Sequence, residues 1–408
     1  MTRSLDWCQA TIRIDGSLIA STDLHSMAER AISELADNDA QVVQTAATDI
    51  LSLTVALLAA WATDLPLVVG GAGIPTPVPA GKSVRVGTVV TRAATATCRL
   101  QDRRLDRGAA RTVRVHSSGT TGTPRARDRT WDEVGLPAMP PEASRIGEAW
   151  GIGYRLDTFA GVHATCSALA RAARLEQVTP AMLAHPGPSF DVLCGTPTFW
   201  RLSLMQAATH ARAGALRYAV LGGEASNEGL LREISRALAP ARIRQIYASA
   251  EFGILAVAEG VQAGFSAADL SAMGGRVIIA DTGQVLARDA SGTHRDTGDS
   301  VRRTEDRVEV VRRDTRVANV GGEKVDLWEV DRVLKSHPHV LDAQTYALTS
   351  VVVGEVVAAR VVTSPSAPAH IERLIKDHAR ATLPPRSIPR KIEIVDELPY
   401  SESLKALR

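Results

Sequence analysis

The 408-residue sequence has few cysteines, few aromatic residues and almost no excess of charge of either sign. Its four cysteines form no CxxC pair and stand beside no histidine cluster, which argues against a zinc site and against a disulfide framework. Lys and Arg total 47 against 45 Asp and Glu, so the net charge of +2 provides no field that would attract nucleic acid or an anionic membrane. We therefore expect a globular protein that binds neither nucleic acid nor a membrane surface.

Long apolar runs are also missing. The most apolar stretch, residues 50–62, is too short to span a bilayer and contains Ser52 and Thr54, so it predicts a buried helix. The first residues of the chain lack the continuous apolar segment of a signal peptide. These two observations predict a cytoplasmic protein with no membrane partner.

What the sequence does contain is an alternation of short apolar runs with amphipathic segments. A helix is predicted over about 49–63. Strand-like runs follow at 65–70 and near Val113. Alternation of this kind favours an α/β domain with largely parallel strands, which we place at residues 1–312. The later apolar runs that alternate with helical patterns are 192–194, 218–221 and 243–246.

The pattern changes after about residue 312. A helix is predicted over 327–336, and two β-rich runs and a second amphipathic helix follow it. This length and mixture are typical of a small α+β domain, which we place at residues 313–408.

The segment HSSGTTGTPR at 116–125 is dense in Ser, Thr and Gly. Glycines let successive backbone N–H groups point into one concavity, the hydroxyls add neutral donors, and Arg125 adds a positive charge. Such a segment predicts a cradle for a polyphosphate, although it lacks the Gly-Lys-Ser/Thr of a Walker A loop. Taken alone, it is also compatible with a flexible surface linker.

Five further segments follow in a fixed order. They are LGGEA at 221–225, YASAE at 247–251, TGD at 297–299, RDTRVANVGGEKV at 313–325 with EVD after it, and LPYSESLK at 398–405. Together with residues 116–125, they resemble the core motifs of the acyl-adenylate-forming superfamily, which includes acyl- and aryl-CoA ligases, peptide-synthetase adenylation domains and luciferases. The resemblance runs from about residue 49 to the C-terminus.

This resemblance implies a fold and a nucleotide site. The fold is α/β, with a large N-terminal domain of parallel and mixed sheets with helices and a small mobile C-terminal α+β domain. The 117–125 segment would hold the β- and γ-phosphates of ATP. The residues that the resemblance assigns to ATP are Ser117, Ser118, Gly119, Thr120, Thr121, Gly122, Gly223, Glu224, Tyr247, Asp299 and Arg313.

The resemblance also implies individual roles. Glu251 would hold Mg²⁺, a hard cation that prefers oxygen ligands. Tyr247 would stack on adenine, with core packing as the alternative. Asp299 would accept hydrogen bonds from the ribose hydroxyls, within reach of Arg313. The expected catalytic residues are Lys405, Glu251, Thr120 and Arg125.

Several positions depart from the motifs of the superfamily. Arg125 stands where Lys is usual, which keeps the charge and changes its geometry. Leu404 replaces the glycine before Lys405 and loses the freedom for positive φ. The other departures are Ala248, Ala250 and Thr315, the last at the expected hinge.

The activity implied is the activation of a small carboxylic acid, aryl acids included, as its acyl-adenylate, followed by transfer to a thiol of CoA or of a phosphopantetheine carrier protein. Four residues fit either an acyl pocket for a flat acid or ordinary core, namely Phe190, Phe199, Trp200 and Met205. Two alternatives stay open: an adenylate-forming enzyme with a non-thiol acceptor, and a non-catalytic nucleotide-binding homologue.

Overall fold

The computed structural model describes most of the chain, and its residues form two compact units. One unit draws on Met1–Thr179, Ser189–Cys194 and Ala248–Ile254, and the other on Pro180–Pro188, Gly195–Tyr247 and Leu255–Arg408. The described residues are 8, 10–14, 17–37, 42–47, 49–70, 82–85, 100–102, 112–117, 125–136, 148–171, 174–185, 187–205, 216–272, 274, 276–289, 292–304, 306–312, 317–320, 323–350, 354–396 and 398.

The first unit contains two groups of strands with helices. In chain order its elements are β1 Thr11–Ile14, β2 Ser17–Ile19, α1 Ser21–Asp37, β3 Val42–Thr45, α2 Ile50–Thr63, β4 Leu67–Val69, β5 Lys82–Arg85, β6 Leu100–Asp102, β7 Thr112–Ser117, β8 Arg125–Thr130, β9 Ala149–Ile152, α3 Phe159–Leu169 and β10 Arg174–Gln177. One sheet has the order β6-β5-β3-β4-β7-β8, parallel from β5 to β7 and closed at each edge by an antiparallel strand. In the other group β1, β10 and β9 pair in parallel, and β2 pairs antiparallel to β1.

Helix α2 is the apolar stretch at 50–62, and every one of these residues is buried. Asp49 caps its first turn by accepting a hydrogen bond from the Ser52 N–H at 2.8 Å, and Asp64 ends it in the left-handed conformation. A helix that is apolar on all sides needs protein around its full circumference. The buried helix predicted from the sequence is confirmed.

The remaining elements begin with α4 Pro180–Leu183 and the strand β11 Val192–Gly195, which pairs in parallel with β9. The second unit then has the parallel strands β12 and β13, with helices beside them. Its elements up to the small antiparallel sheet are α5 Pro197–Leu204, β12 Tyr218–Gly222, α6 Glu228–Leu238, β13 Arg242–Ser249 and β14 Gly253–Glu259.

Two further sheets complete the second unit. The sheet β15-β19-β18-β17-β16 is antiparallel throughout, and the sheet β21-β20-β23-β22 carries β24 parallel to β23. Helices α8 and α9 pack against the sheet that contains β20 to β24. The core between them includes Val330, Leu334 and Ile375. The element bounds are β15 Phe265–Ser266, α7 Ala267–Ser271, β16 Val277–Ile279, β17 Gln284–Arg288, β18 His294–Arg303, β19 Arg307–Arg312, β20 Val317–Val320, β21 Glu323–Asp326, α8 Leu327–Lys335, β22 Val340–Ser350, β23 Gly354–Thr363, α9 Ile371–Thr382 and β24 Lys391–Ile394.

The α/β class predicted from the sequence is confirmed by these mixed and parallel sheets. The domain boundary at residues 312 and 313 stays a prediction, since 313–316 lie outside the described residues. Within the described part of the chain, no helix is both long enough and apolar enough to cross a membrane.

Candidate functional site

The strands β7 and β8 pair antiparallel and flank the predicted phosphate segment in the sequence. Their last pair in this direction is Ser117 with Arg125. The side chains of Ser117 and Arg125 and the whole of 118–124 lie outside what the structure describes. The expected phosphate contacts within that segment, which stay predictions, are Ser118, Gly119, Thr120, Thr121 and Gly122.

Strand β8 carries arginines at alternate positions, so they project from one face of the strand. Arg127 pairs across the hairpin with Val115, and Arg129 pairs with Val113. Both valines are fully buried, which makes this the inner face of the hairpin. The sequence signal for this feature was the alternation R-A-R-D-R at 125–129, which our sequence analysis did not interpret.

Arg129 is only 8% exposed and holds the turn that contains Glu251. Its Nε donates to the carbonyl of Ala250 at 2.8 Å, and its Nη2 donates to the carbonyl of Glu251. Its Nη1 lies 3.3 Å from Glu133 Oε1, and the other carboxylate oxygen of Glu133 accepts from the Thr130 N–H at 2.9 Å. All three nitrogens of the guanidinium thus have a hydrogen-bond partner. The side chain fixes the main chain at Glu251 by binding the carbonyl before it and its own carbonyl.

The Glu251 carboxylate itself faces Arg127. The Arg127 Nε is 3.5 Å from Glu251 Oε1, and the two side chains are 37% and 32% exposed. Strand β8, which directly follows the phosphate segment, therefore contacts both the main chain and the side chain of the predicted magnesium ligand.

The donor set around Glu251 fits a nucleotide-bound magnesium ion. Among the described residues, no group of three or more His, Cys, Asp or Glu side chains could hold a metal ion by itself. A Mg²⁺ ion that binds with nucleotide needs only one or two protein carboxylates, because phosphate oxygens and water fill its other positions. One partly exposed carboxylate with a fixed main chain meets that need.

Tyr247 and Asp299 form a second group, in the other unit. The Tyr247 hydroxyl donates to Asp299 Oδ2 at 2.8 Å, and the Tyr247 ring packs against Phe265 with ring centres 6.1 Å apart. Burial and the neighbouring Asp299 charge raise the pKa of Tyr247, so the phenol stays protonated and donates. The sequence placed these two residues in one site, and the structure joins them directly.

Asp299 lies in β18, where the TGD segment interrupts the regular pairing of this strand with β17. Gly298 has φ +81°, a conformation that glycine adopts at no cost, and the Thr297 hydroxyl accepts from the Asp299 N–H at 3.1 Å. The Thr297 hydroxyl also donates to the Val285 carbonyl at 2.9 Å. A carboxylate on a strand segment held in this way is suited to accept hydrogen bonds from adjacent hydroxyls.

Gly223 and Glu224 lie where β12 ends. Gly223 has φ +84°, which explains the need for glycine. Glu224 Oε2 accepts from the Thr198 N–H at 3.1 Å and from the Thr198 hydroxyl at 2.8 Å, so it binds the N-terminus of α5. Glu224 thus contacts the protein itself, and its predicted part in the nucleotide site stays a prediction.

Sequence reasoning missed a buried charge cluster next to Glu224. Arg201, on α5, is 3% exposed, and its Nη1 lies 3.1 Å from Asp342 Oδ2 and 3.8 Å from Glu224 Oε2. Its Nε donates to the Leu341 carbonyl at 3.0 Å, and Lys335 Nζ is 2.7 Å from Asp342 Oδ1. No motif marks these residues, so only the fold reveals the cluster.

Asp342 remains charged inside this cluster. Burial by itself would raise the pKa of Asp342, but Arg201 and Lys335 outweigh that effect and hold the pKa below its usual value. The Ala343 N–H donates to the same carboxylate at 2.9 Å. The cluster is therefore a paired ionic network, which is the form in which proteins tolerate buried charge.

Phe199 and Trp200 are completely buried and meet edge to face, with ring centres 6.0 Å apart. The Trp200 Nε1–H donates to the Val220 carbonyl at 3.0 Å, so its polar atom is satisfied within the protein. These observations favour core packing over an acyl pocket for this pair. Two more predicted site residues, Arg313 and Lys405, lie outside the described residues.

Comparison with known proteins gives matches of two kinds. Residues 329–405 match the family described as the AMP-binding enzyme C-terminal domain. The mitochondrial acyl-coenzyme A synthetase ACSM5 of Rattus norvegicus is 32% identical over 102 residues, which cover 24% of this chain and 18% of that protein. The pyochelin synthase PchD of Pseudomonas aeruginosa (strain UCBPP-PA14) is 36% identical over 114 residues, 28% of this chain and 20% of that protein.

The fold has close counterparts over nearly the whole chain. The crystal structure of the anthranilate CoA ligase AuaEII in complex with anthranoyl-AMP superposes with a TM-score of 0.66 and 14% identity, covering 97% of this chain and 92% of that one. In contrast, the chain spans only about a fifth of the two curated relatives named above.

Proposed function

We propose that the chain, whose residues 329–405 match the AMP-binding enzyme C-terminal domain, is an acyl-adenylate-forming enzyme that uses ATP and Mg²⁺ to activate a small carboxylic acid and then passes the acyl group to a thiol. In the first step a carboxylate oxygen bonds to the α-phosphorus of ATP and the bond to pyrophosphate breaks. In the second step the thiol sulfur attacks the acyl carbon, AMP leaves, and the thiol proton is released.

The observation that carries the proposal is the attachment of Glu251 to strand β8. Arg129 holds the main chain of Glu251, and the same strand begins where the Ser, Thr and Gly segment ends. A carboxylate suited to a hard cation is therefore held by the strand that directly follows, in the sequence, the segment proposed to bind phosphate. That combination supports a site for a metal–nucleotide complex better than either feature alone.

The chemistry explains why such residues are needed. The acid and the α-phosphate are both anions, so the reaction depends on charge neutralisation and in-line positioning. In the proposal the donors of 118–122 and Arg125 hold the phosphates, and Glu251 holds Mg²⁺, which supplies positive charge at the phosphate oxygens. Lys405 brings an ammonium group to the carboxylate and the α-phosphate.

Asp299 has the second binding role in the proposal. Its carboxylate accepts hydrogen bonds from the ribose hydroxyls, with Arg313 at the same sugar. The Tyr247 hydroxyl holds Asp299 from the protein side, while the Tyr247 ring packs against Phe265. Tyr247 thus has a supporting contact in addition to the adenine stacking predicted from the sequence.

The choice of acid and acceptor is guided by the names of similar proteins. One similar structure is an anthranilate CoA ligase, so small aryl acids head the substrates to test. The names acyl-coenzyme A synthetase and CoA ligase favour CoA as the first acceptor, with phosphopantetheine carrier proteins as the second. The cytoplasmic location predicted from the sequence remains part of the proposal and is tested by cell fractionation.

The test is pyrophosphate release across a panel of benzoates, short acids and fatty acids, each with and without CoA. We expect release that depends on one class of small acid, and a thioester product when CoA is added. The matched variant Lys405→Ala should lower adenylate formation by about 100-fold or more with little change in ATP affinity, as expected when one transition-state charge contact is lost.

The other outcomes separate the alternatives. An acyl-adenylate that no thiol consumes would indicate a non-thiol acceptor. Bound ATP with no pyrophosphate release for any acid would contradict the proposed activity and favour a non-catalytic homologue. Full adenylation by Lys405→Ala would remove Lys405 from the site.

A further inference from the structure

We propose that Arg127 and Arg129, neighbours on one face of β8, tune the metal affinity of Glu251 in opposite directions. Arg129 raises it by fixing the turn, and Arg127 lowers it by sharing the carboxylate. Both are positioning residues, since neither is assigned a contact with substrate. The inference rests on the proposed function, because it takes Glu251 as the magnesium ligand.

Arg129 acts through the main chain. Its guanidinium donates to the carbonyls of Ala250 and Glu251 and is held in turn by Glu133. A ligand whose main chain is already fixed loses less conformational freedom when it binds a cation, which raises affinity. Lysine in place of Arg129 would keep the charge but could not bridge two carbonyls and a carboxylate with a planar group.

Arg127 acts through the side chain. Its Nε lies 3.5 Å from Glu251 Oε1, so a divalent cation on that carboxylate would meet a positive charge within a few ångströms. The ion pair must therefore open before or as the cation binds. Since both side chains are about one-third exposed, solvent screens the pair, and the effect on affinity is modest.

The measurement is the coupling between metal and nucleotide without turnover. The Kd of α,β-methylene-ATP is measured by calorimetry in EDTA and again in saturating Mg²⁺, with no acid present. The ratio of the Kd in EDTA to the Kd in Mg²⁺ reports how strongly the protein uses the metal. A lost charge that acts only on the phosphates changes both Kd values by a similar factor. Its effect on the ratio is therefore small.

The variants should move this ratio in opposite directions. Arg127→Gln should raise it about two- to fivefold, the scale of a partly exposed ion pair, while Arg127→Lys should leave it near the wild-type value. Arg129→Lys should lower it about fivefold or more, because the turn is no longer fixed. Glu251→Gln should lower it toward one.

Arg114→Gln is the matched control. Arg114 lies on the same hairpin and makes two hydrogen bonds to Asp128, at 2.6 and 2.8 Å. The variant should leave the ratio of the two Kd values unchanged, because these hydrogen bonds do not involve Glu251. A fall of the ratio in Arg127→Gln would overturn the inference, and so would no change in both arginine variants while Glu251→Gln responds. Should Arg129→Lys fail to fold, Arg127→Gln still decides, since both side chains of its pair with Glu251 are about one-third exposed. An unchanged ratio in Glu251→Gln would instead remove Glu251 as the metal ligand.

Discussion

At the scale of single residues, the most informative contact joins two residues that the sequence assigned to separate roles. Tyr247 was predicted to stack on adenine and Asp299 to bind ribose, and in the structure the tyrosine hydroxyl donates to the aspartate at 2.8 Å. The raised pKa of Tyr247, caused by burial and by Asp299, keeps that donor protonated at any ordinary pH. Tyr247 therefore holds Asp299 in place whatever its ring does.

The variant Tyr247→Phe separates these two roles. It keeps a ring that packs on Phe265 and removes the donor to Asp299, so we expect the Kd of ATP to rise about tenfold, the scale of a hydrogen bond to a charged group. The rise should appear in Kd and KM for ATP, with kcat little changed. ATP affinity equal to that of the wild type would mean that Tyr247 contributes through its ring alone.

At the scale of elements, ionic contacts and hydrogen bonds hold helix α5 against elements that are distant in the sequence. Arg201 on α5 contacts the start of β22 through Asp342 and the Leu341 carbonyl, and Glu224 after β12 binds the first turn of the same helix. Asn227, before α6, donates to the Leu341 carbonyl at 3.3 Å as well. With Lys335 at the end of α8, residues from α5, α8 and β22 and residues next to β12 and α6 thus share one buried polar cluster.

Breaking this cluster at one member should destabilise the protein strongly. Arg201→Met leaves buried Asp342 with Lys335 alone, and Asp342→Asn leaves buried Arg201 with Glu224 alone, so each change should lower the unfolding free energy by up to about 3–5 kcal/mol. Arg201→Met combined with Asp342→Asn should cost clearly less than the sum of the two single changes, because both single changes break the same ion pair between these residues. Urea unfolding followed by circular dichroism measures these differences.

A matched surface variant controls for the loss of an arginine. Arg236→Gln removes a pair in which the arginine is exposed to solvent, and it should shift the urea midpoint much less than the changes at Arg201. A single change at Arg201 that behaves like Arg236→Gln would show that the cluster is not essential for stability.

The difference between local and long-range signals explains what the sequence could predict. Helix α2 and the elements from α8 to α9 were predictable because their apolar patterns lie within a few neighbouring residues. The contact of Arg201 with Leu341 joins residues 140 positions apart, and no local pattern encodes it. Arg127 and Arg129 are an intermediate case, since their alternation was visible and its target, the turn at Glu251, was not.

At the scale of the whole molecule, two histidines with lowered pKa values make the stability of the fold depend on pH. Burial and the nearby Arg171 lower the pKa of His163 to about 4. Burial, His378 and His339 also lower the pKa of His337. Both imidazoles are therefore neutral in the folded protein at pH values where an unfolded chain, with a histidine pKa of about 6.5, already binds protons.

Stability should consequently fall on acidification. Between about pH 6.5 and pH 4 the unfolded state binds more protons than the folded state, so the free energy of unfolding decreases as the pH drops through this window. Thermal unfolding at pH 7.5, 6.0 and 5.0 measures the effect. The double variant His163→Gln, His337→Gln should flatten the profile, and an equally steep profile in that variant would contradict the assignment.

The ionic contact between Arg201 and Asp342 has a practical consequence for dividing the chain. A fragment produced from residue 313 onward would keep Asp342 and its pair with Lys335 at 2.7 Å, yet it would lose the guanidinium that covers the other oxygen of that carboxylate. The cut would thus expose an acidic side chain together with the apolar surface around it. Solubility of such a fragment should improve when Asp342 stays ionised and neighbouring apolar side chains are made polar, rather than when the carboxylate is neutralised.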